Sequence, residues 1–241
     1  MTQKLRLDKL LVATGEITIT TAKTALGAVL VSVSGVFVNS ADTKAAAEEI
    51  AIDGAAIEYN EFHYIMLNKP SGYLSATEDK HCATVLELLP EKYKKIGLFP
   101  AGRLDKDAEG FLLLTNDGVL AHGLMSPRRH VDKIYEVNVD GLLDETDISA
   151  MQDGVTIDGD YVCMPARLEI ISASNESHAN ITVMEGRFHQ VKKMFLSRNK
   201  CVKYLKRISI GGVKLDLSLQ LGDFRELTKN EISTLKACAK M

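Results

Sequence analysis

The 241-residue chain has no tryptophan and only four cysteines. Cys82, Cys163, Cys201 and Cys238 lie too far apart for a Cys-x-x-Cys pair, which excludes a zinc ribbon and a thioredoxin-like redox centre. None of the six histidines pairs with another at i, i+4, so no helical metal site is expected. No stretch reaches the roughly 18 uninterrupted apolar residues of a membrane span. The N-terminus alternates charge with leucine instead of opening an apolar signal core. The expectation is a chain without membrane contact, its thiols free in a reducing cytoplasm. Positive charge is not in excess either. Lys+Arg 29 against Asp+Glu 32 gives a net charge of -3, which excludes a uniformly basic nucleic-acid coat and leaves room for a local patch. With 46% apolar and 25% charged residues the composition is that of a folded protein.

Two unequal parts are present. In residues 6–14, Leu7, Leu10 and Leu11 share one helical face, and Gly15 is placed to end that helix. Thr20 or Thr21 can cap a second helix whose apolar face holds Ala22, Ala25, Leu26 and Val29. Val31 and Val33 alternate with serines, Ser34-Gly35 makes a turn and Val36-Phe37-Val38 returns as a hairpin. The spacing predicts a small unit over residues 1–59 and a larger one over residues 60–241. In the larger part, residues 64–67, 111–114, 134–139 and 181–184 read as strands, with Tyr135, Val137 and Val139 on one face. Asn116-Asp117-Gly118 reads as a turn, residues 188–198 as an amphipathic helix, and Thr228 with Glu231 as a capping box. No Rossmann glycine pattern occurs, and the class is mixed α+β.

Two segments carry candidate chemistry. Gly102-Arg103-Leu104-Asp105-Lys106-Asp107-Ala108-Glu109-Gly110 sets three acids between two glycines and runs straight into the apolar strand at Phe111. Such a loop can hold a carboxylate at the rim of a core, where function concentrates. On spacing alone a paired-carboxylate hydrolase stays open. In the second segment, helical spacing puts Phe188, Lys192 and Phe195 on one face, with Lys193 turned away. A lysine on an apolar face must snorkel or find a carboxylate, and Asp105 is the candidate partner. Residues 187–207 hold eight cations and no acid, with Phe188, Phe195 and Tyr204 interleaved. That is a local nucleic-acid footprint. Arg128, Arg129, His130 and Lys133 form a smaller basic set.

The first unit resembles the S4 RNA-binding domain, through Arg6-Leu7-Asp8-Lys9-Leu10-Leu11, Ala22-Lys23 and Val33-x-Gly35-x-x-Val38. It departs from that pattern where Ala25-Leu26-Gly27-Ala28-Val29-Leu30 is neutral. Five Lys or Arg face seven Asp or Glu across residues 4–58, a net of -2. Phosphate neutralisation dominates RNA affinity, so weak RNA binding is expected of this unit.

Over its whole length the chain resembles the RsuA-type family of ribosomal RNA pseudouridine synthases. After the S4-like unit come Leu67-Asn68-Lys69-Pro70-x-Gly72, Gly102-Arg103-Leu104-Asp105, Lys133-x-Tyr135 and Gly186-Arg187-x-His189-Gln190-Val191-Lys192, in the family's order. The resemblance implies a largely antiparallel sheet with flanking helices, and an isomerase that needs neither cofactor nor metal. It assigns Asp105 as the essential aspartate, Tyr135 as the tyrosine that stacks on the target base and Lys192 as the cation paired with the aspartate. It implies RNA contacts for Lys69, Arg103, Arg128, Arg129, Lys133, Arg187, His189, Gln190, Lys193 and Arg207, with Leu205 as an apolar wall. Ala108 stands where the family usually has Thr or Ser, which predicts altered loop order. Likeness through Asn68-Lys69-Pro70-Ser71-Gly72-Tyr73 implies small-subunit (16S) ribosomal RNA as substrate, within an assembling subunit, and a monomeric cytoplasmic enzyme. The alternatives are the same reaction on large-subunit (23S) RNA and a non-catalytic ribosome-assembly factor.

Overall fold

The structure, a computed structural model, describes residues 4–13, 31–57 and 59–240. The second helix expected from Thr20 or Thr21 lies outside the described residues. Internal contacts divide the chain into two units, Met1–His63 with Leu89–Phe99, and Tyr64–Leu88 with Pro100–Met241. The segment Leu89–Phe99 groups with the smaller unit.

In the smaller unit, strands β1 (Leu5–Arg6) and β4 (Lys44–Ala45) pair antiparallel. Strands β2 (Val31–Val33), β3 (Val36–Phe37), β5 (Ile50–Ile52) and β6 (Ala55–Ala56) form a sheet in the order β3-β2-β5-β6. The helix Leu7–Ala13 buries Leu7, Leu10 and Leu11 against Val31, Ala45 and Ile50, as its apolar spacing requires. The tight turns at Ser34-Gly35 and Asp53-Gly54 have positive φ at both residues, the backbone twist that two-residue hairpins favour.

The larger unit is built on one mixed sheet. Its strands are β7 (Tyr64–Lys69), β9 (Glu109–Thr115), β10 (Lys133–Asp140), β13 (Arg167–Ser172), β14 (Glu176–Val183), β15 (Cys201–Ile210), β16 (Val213–Lys214) and β17 (Phe224–Glu226). The two-residue β8 (Phe99–Pro100) stands where the chain re-enters this unit. A separate hairpin joins β11 (Thr156–Ile157) to β12 (Tyr161–Val162). The order across the sheet is β13-β14-β10-β15-β9-β7-β17, antiparallel throughout except where β15 and β9 run parallel. Phe111, Leu112, Leu113 and Leu114 on β9 are fully buried. Each such side chain contributes about 1.5–3 kcal/mol by leaving water. Tyr135, Val137 and Val139 alternate inward on β10 as their period-2 spacing predicts.

Three sequence expectations change. Asp117 caps the helix Gly118–Met125, its carboxylate accepting from the Leu120 amide, so Asn116-Asp117-Gly118 starts a helix instead of closing a turn. The helix expected over residues 188–198 spans Gln190–Leu196, because the left-handed backbone at His189 (φ 54°, ψ 30°) breaks the helical path before it. Phe188 therefore lies off the helix, 68% exposed, while Phe195 is buried, and the two do not share a face. Finally, Lys192, Lys193, Arg198, Lys200 and Lys203 all pair with acids from other elements, and Arg207 is buried. An acid-free stretch of sequence is here not an unneutralised stretch of surface. Arg198 and Lys200 both grip Asp147, a fully buried carboxylate. The capping box at Thr228 and Glu231 is present on the helix Lys229–Cys238.

Gly110 sets the parallel join between β9 and β15, opposite Arg207. Its φ is +97°, and a Cβ there would overlap the Arg207 carbonyl oxygen and lie 2.8 Å from its amide nitrogen. Gly110→Ala is expected to cost about 3 kcal/mol from backbone strain plus overpacking, read as a lower urea midpoint. An unchanged midpoint would show that the strands do not meet so closely.

Candidate active site

The loop between Gly102 and Gly110 is held from beneath by one side chain. Lys69, at the end of β7, is fully buried. Its Nζ donates to the carbonyls of Pro70 (3.1 Å), Asp105 (3.1 Å), Lys106 (3.2 Å) and Ala108 (2.7 Å). The Gly72 amide donates to the Lys106 carbonyl (2.8 Å), and the Ala108 amide to that of Asp105 (3.1 Å). Ser75 clamps the other side, its Oγ donating to the Leu104 carbonyl and accepting from the Leu104 amide, both at 3.0 Å. With the backbone so fixed, the Asp105 side chain turns outward and remains one-fifth exposed.

Two side chains, Lys192 and His189, reach Asp105. Lys192 Nζ lies 3.3 Å from Oδ2, and His189 Nε2 lies 3.6 Å from Oδ1. Asp107 is closer still to Lys192, accepting from Nζ with both oxygens at 2.6 and 2.8 Å. That hydrogen bond holds the Asp107 carboxyl below its usual range. Burial opposes charge on Lys192, but Asp107 and Asp105 outweigh it and raise the ammonium above its usual value. One lysine therefore serves two carboxylates.

Asp105 lines a cavity of about 530 Å³ together with Tyr135, Arg103, Arg187, Phe188 and His189. A smaller recess adjoins it, where Leu205 and Val183 also meet Asp105 and Tyr135. Tyr135 is set by its place on β10, between Ile181 of β14 and Arg207 of β15. The site thus joins an ion-paired carboxylate, an aromatic ring and a nucleotide-sized space bordered by arginines.

Comparison with known proteins agrees with this layout. Residues 63–197 match the family model described as RNA pseudouridylate synthase. The chain belongs to the RNA pseudouridine synthase family. An uncharacterized RNA pseudouridine synthase of Bacillus subtilis is 48% identical over 78% of this chain and 79% of its own length. Ribosomal small subunit pseudouridine synthase A of Haemophilus influenzae is 36% identical over 96% of this chain and 99% of its own. A pseudouridylate synthase crystal structure is 35% identical, with a TM-score of 0.68, covering 96% of this chain and 99% of that one.

Within this pseudouridine synthase the expected site residues do not all gather at the cavity surface. Arg103 and Arg187 are exposed at the cavity, Arg187 with its guanidinium carbon 3.3 Å from the Tyr161 ring centroid. Arg128 and Arg129 stand exposed on the short turn Pro127–Arg129. Five of the expected RNA contacts bond within the protein, and three of these still line the cavity or its adjoining recess: Lys133 and Arg207 the cavity, Gln190 the recess. Lys69 is spent on the loop carbonyls. Lys133 is buried, donating to the Val131 carbonyl (2.9 Å). Gln190 is buried, donating to Glu185 Oε1 (2.8 Å) and accepting from the Arg187 amide (2.9 Å). Lys193 pairs with Asp158 (2.7 Å), and Arg207 turns inward to the Phe111 carbonyl (2.8 Å).

Sequence reasoning missed Asp107 as the nearer partner of Lys192. It also missed Glu185, whose buried carboxylate accepts from Tyr161 Oη (2.5 Å), the Met164 amide (2.9 Å) and Gln190. Asp107 could have been found from the i, i+2 spacing to Asp105. Nothing in the spacing points from Tyr161 to Glu185. Ala108 is buried, and its carbonyl takes the shortest of the Lys69 hydrogen bonds.

Burial lowers the Lys69 pKa to about 8, with nearby acids only partly offsetting it. Between that value and the unfolded value near 10.5, the unfolded chain binds the extra proton, so this group adds stability as pH rises. Lys69→Met is expected to lose about 3 kcal/mol at neutral pH by removing a charged donor from four carbonyls, of which those of Asp105 and Lys106 keep a backbone amide partner. Its deficit against wild type should widen from pH 8 to pH 10. A deficit that stays flat in denaturant titrations across that range would contradict a desolvated ammonium.

Proposed function

We propose that this enzyme converts one specific uridine of small-subunit ribosomal RNA to pseudouridine, with Asp105 as its essential carboxylate. The observation that carries the reading is Asp105 facing the cavity beside Tyr135, with Lys192 3.3 Å away. In the reaction the N1–C1′ bond breaks, the uracil turns and a C5–C1′ bond forms, with the C5 proton passing to N1. Atoms and electrons balance within the nucleoside, so the chemistry calls for no cofactor or metal. Asp105 acts as nucleophile or base at the nucleoside, with the Lys192 ammonium as its counter-ion. The uridine must leave its stack, at a cost of a few kcal/mol, which stacking on Tyr135 partly offsets. Leu205 closes the apolar wall. Arg103 and Arg187 at the cavity, with Arg128 and Arg129 outside it, take phosphates. The S4-like unit adds a weak RNA contact.

The small-subunit assignment draws support from the relatives named ribosomal small subunit pseudouridine synthase A, in Haemophilus influenzae and, at 37% identity over 85% of this chain, in Escherichia coli. We place the enzyme in the cytoplasm as a monomer acting on an assembling small subunit. Pseudouridine mapping of 16S and 23S RNA after incubation with purified protein tests both parts. One new site in 16S RNA is expected, with loss of about a thousandfold or more in rate for Asp105→Asn. A new site only in 23S RNA moves the substrate to the large subunit, and full activity in Asp105→Asn removes the catalytic assignment.

A further inference from the structure

We propose that Phe188 is a stacking platform for the nucleobase next to the target uridine, and so helps determine which uridine is chosen. This rests on the reading that the uridine enters the cavity at Asp105. Phe188 lines that cavity yet is 68% exposed, so the core does not account for it. Its ring is nevertheless held in place. It stacks on His189, with centroids 3.8 Å apart and planes at 21°. His189 is fixed in turn by its left-handed backbone and its approach to Asp105. The loop before it is tied down by Gln190, which binds both the Arg187 amide and the buried Glu185.

A rigid, outward-facing aromatic ring beside cationic side chains suits one kind of partner. Arg187 precedes it in the chain, and the Lys193 ammonium lies 5.2 Å from its centroid. A protein partner would need a wider apolar patch, and this ring stands among charges. A single-stranded RNA supplies both a flat base for the ring and phosphates for the arginines. When the uridine swings out, its neighbour loses a stacking partner. Phe188 replaces it, and bases that stack strongly at that position are favoured.

Because the chain contains no tryptophan, F188W creates a single fluorescent reporter at the platform. The probe is a short fluorescein-labelled RNA spanning the uridine that wild-type protein modifies, alongside versions with an abasic residue immediately 5′ or 3′ of it. The expected result is quenched tryptophan emission on binding the intact RNA, lost with one abasic version. F188A and F188L should raise KM about tenfold, the scale of one lost base–aromatic stack, with kcat within about twofold and F188Y near wild type. Thermal midpoints should not move, given the exposure of the side chain. Unaltered emission while anisotropy reports binding, or an F188L variant as good as F188Y, overturns the platform alone. If wild-type protein modifies no RNA, the functional reading falls and takes the platform with it.

Discussion

A buried ammonium binding four main-chain carbonyls is the constraint on which the site depends. Lys69 cannot leave without withdrawing a charged donor from the carbonyls of Pro70, Asp105, Lys106 and Ala108. The loop must therefore keep its path, and that path points the Asp105 side chain toward Lys192 and His189. Gly110 does the same work one step along the chain. By having no side chain it lets β9 lie against β15, which fixes where the loop ends and where Arg207 and Tyr135 begin. Rigid backbone on both sides of a short acidic loop is what pre-organisation requires of the role proposed for Asp105.

The charges above that backbone form a shared system. Lys192 divides itself between Asp105 and Asp107, and His189 approaches Asp105 from the other oxygen. Asp107 is largely exposed while Asp105 is mostly covered, so the lysine is anchored by the outer carboxylate and oriented toward the inner one. Behind this group, Glu185 gathers Tyr161, Met164 and Gln190 and sets the segment from which Arg187, Phe188 and His189 project. Two separate networks thus position different parts of one cavity's lining.

Much of this was legible in the sequence where periodicity or local chemistry determines structure. Leu7, Leu10 and Leu11, the alternation of Tyr135, Val137 and Val139, and the box at Thr228 and Glu231 all follow from rules that span a few residues. The meeting of Asp105 with Lys192 was legible in the sequence, although the apolar face that suggested it does not form as expected, since Phe188 lies off the helix. What escaped were partnerships decided by tertiary packing. Lys69 reads as a basic surface residue beside a proline, and only the strand it ends shows that it points inward. Residues 187–207 read as a basic patch because the acids that answer them, Asp140, Asp147 and Asp158, lie 30 or more residues away. Phe188 was assigned to a helix because amphipathic spacing carries no sign of the left-handed turn at His189.

The internal pairing of those cations bears on how the molecule meets a polyelectrolyte. A lysine already bonded to an aspartate of its own fold displaces few counterions when a phosphate arrives, so its attraction to nucleic acid depends little on ionic strength. With five of the eight cations committed in this way, discrimination passes to shape and to the geometry of the cleft, and the enzyme is spared prolonged capture by irrelevant RNA backbone around its target.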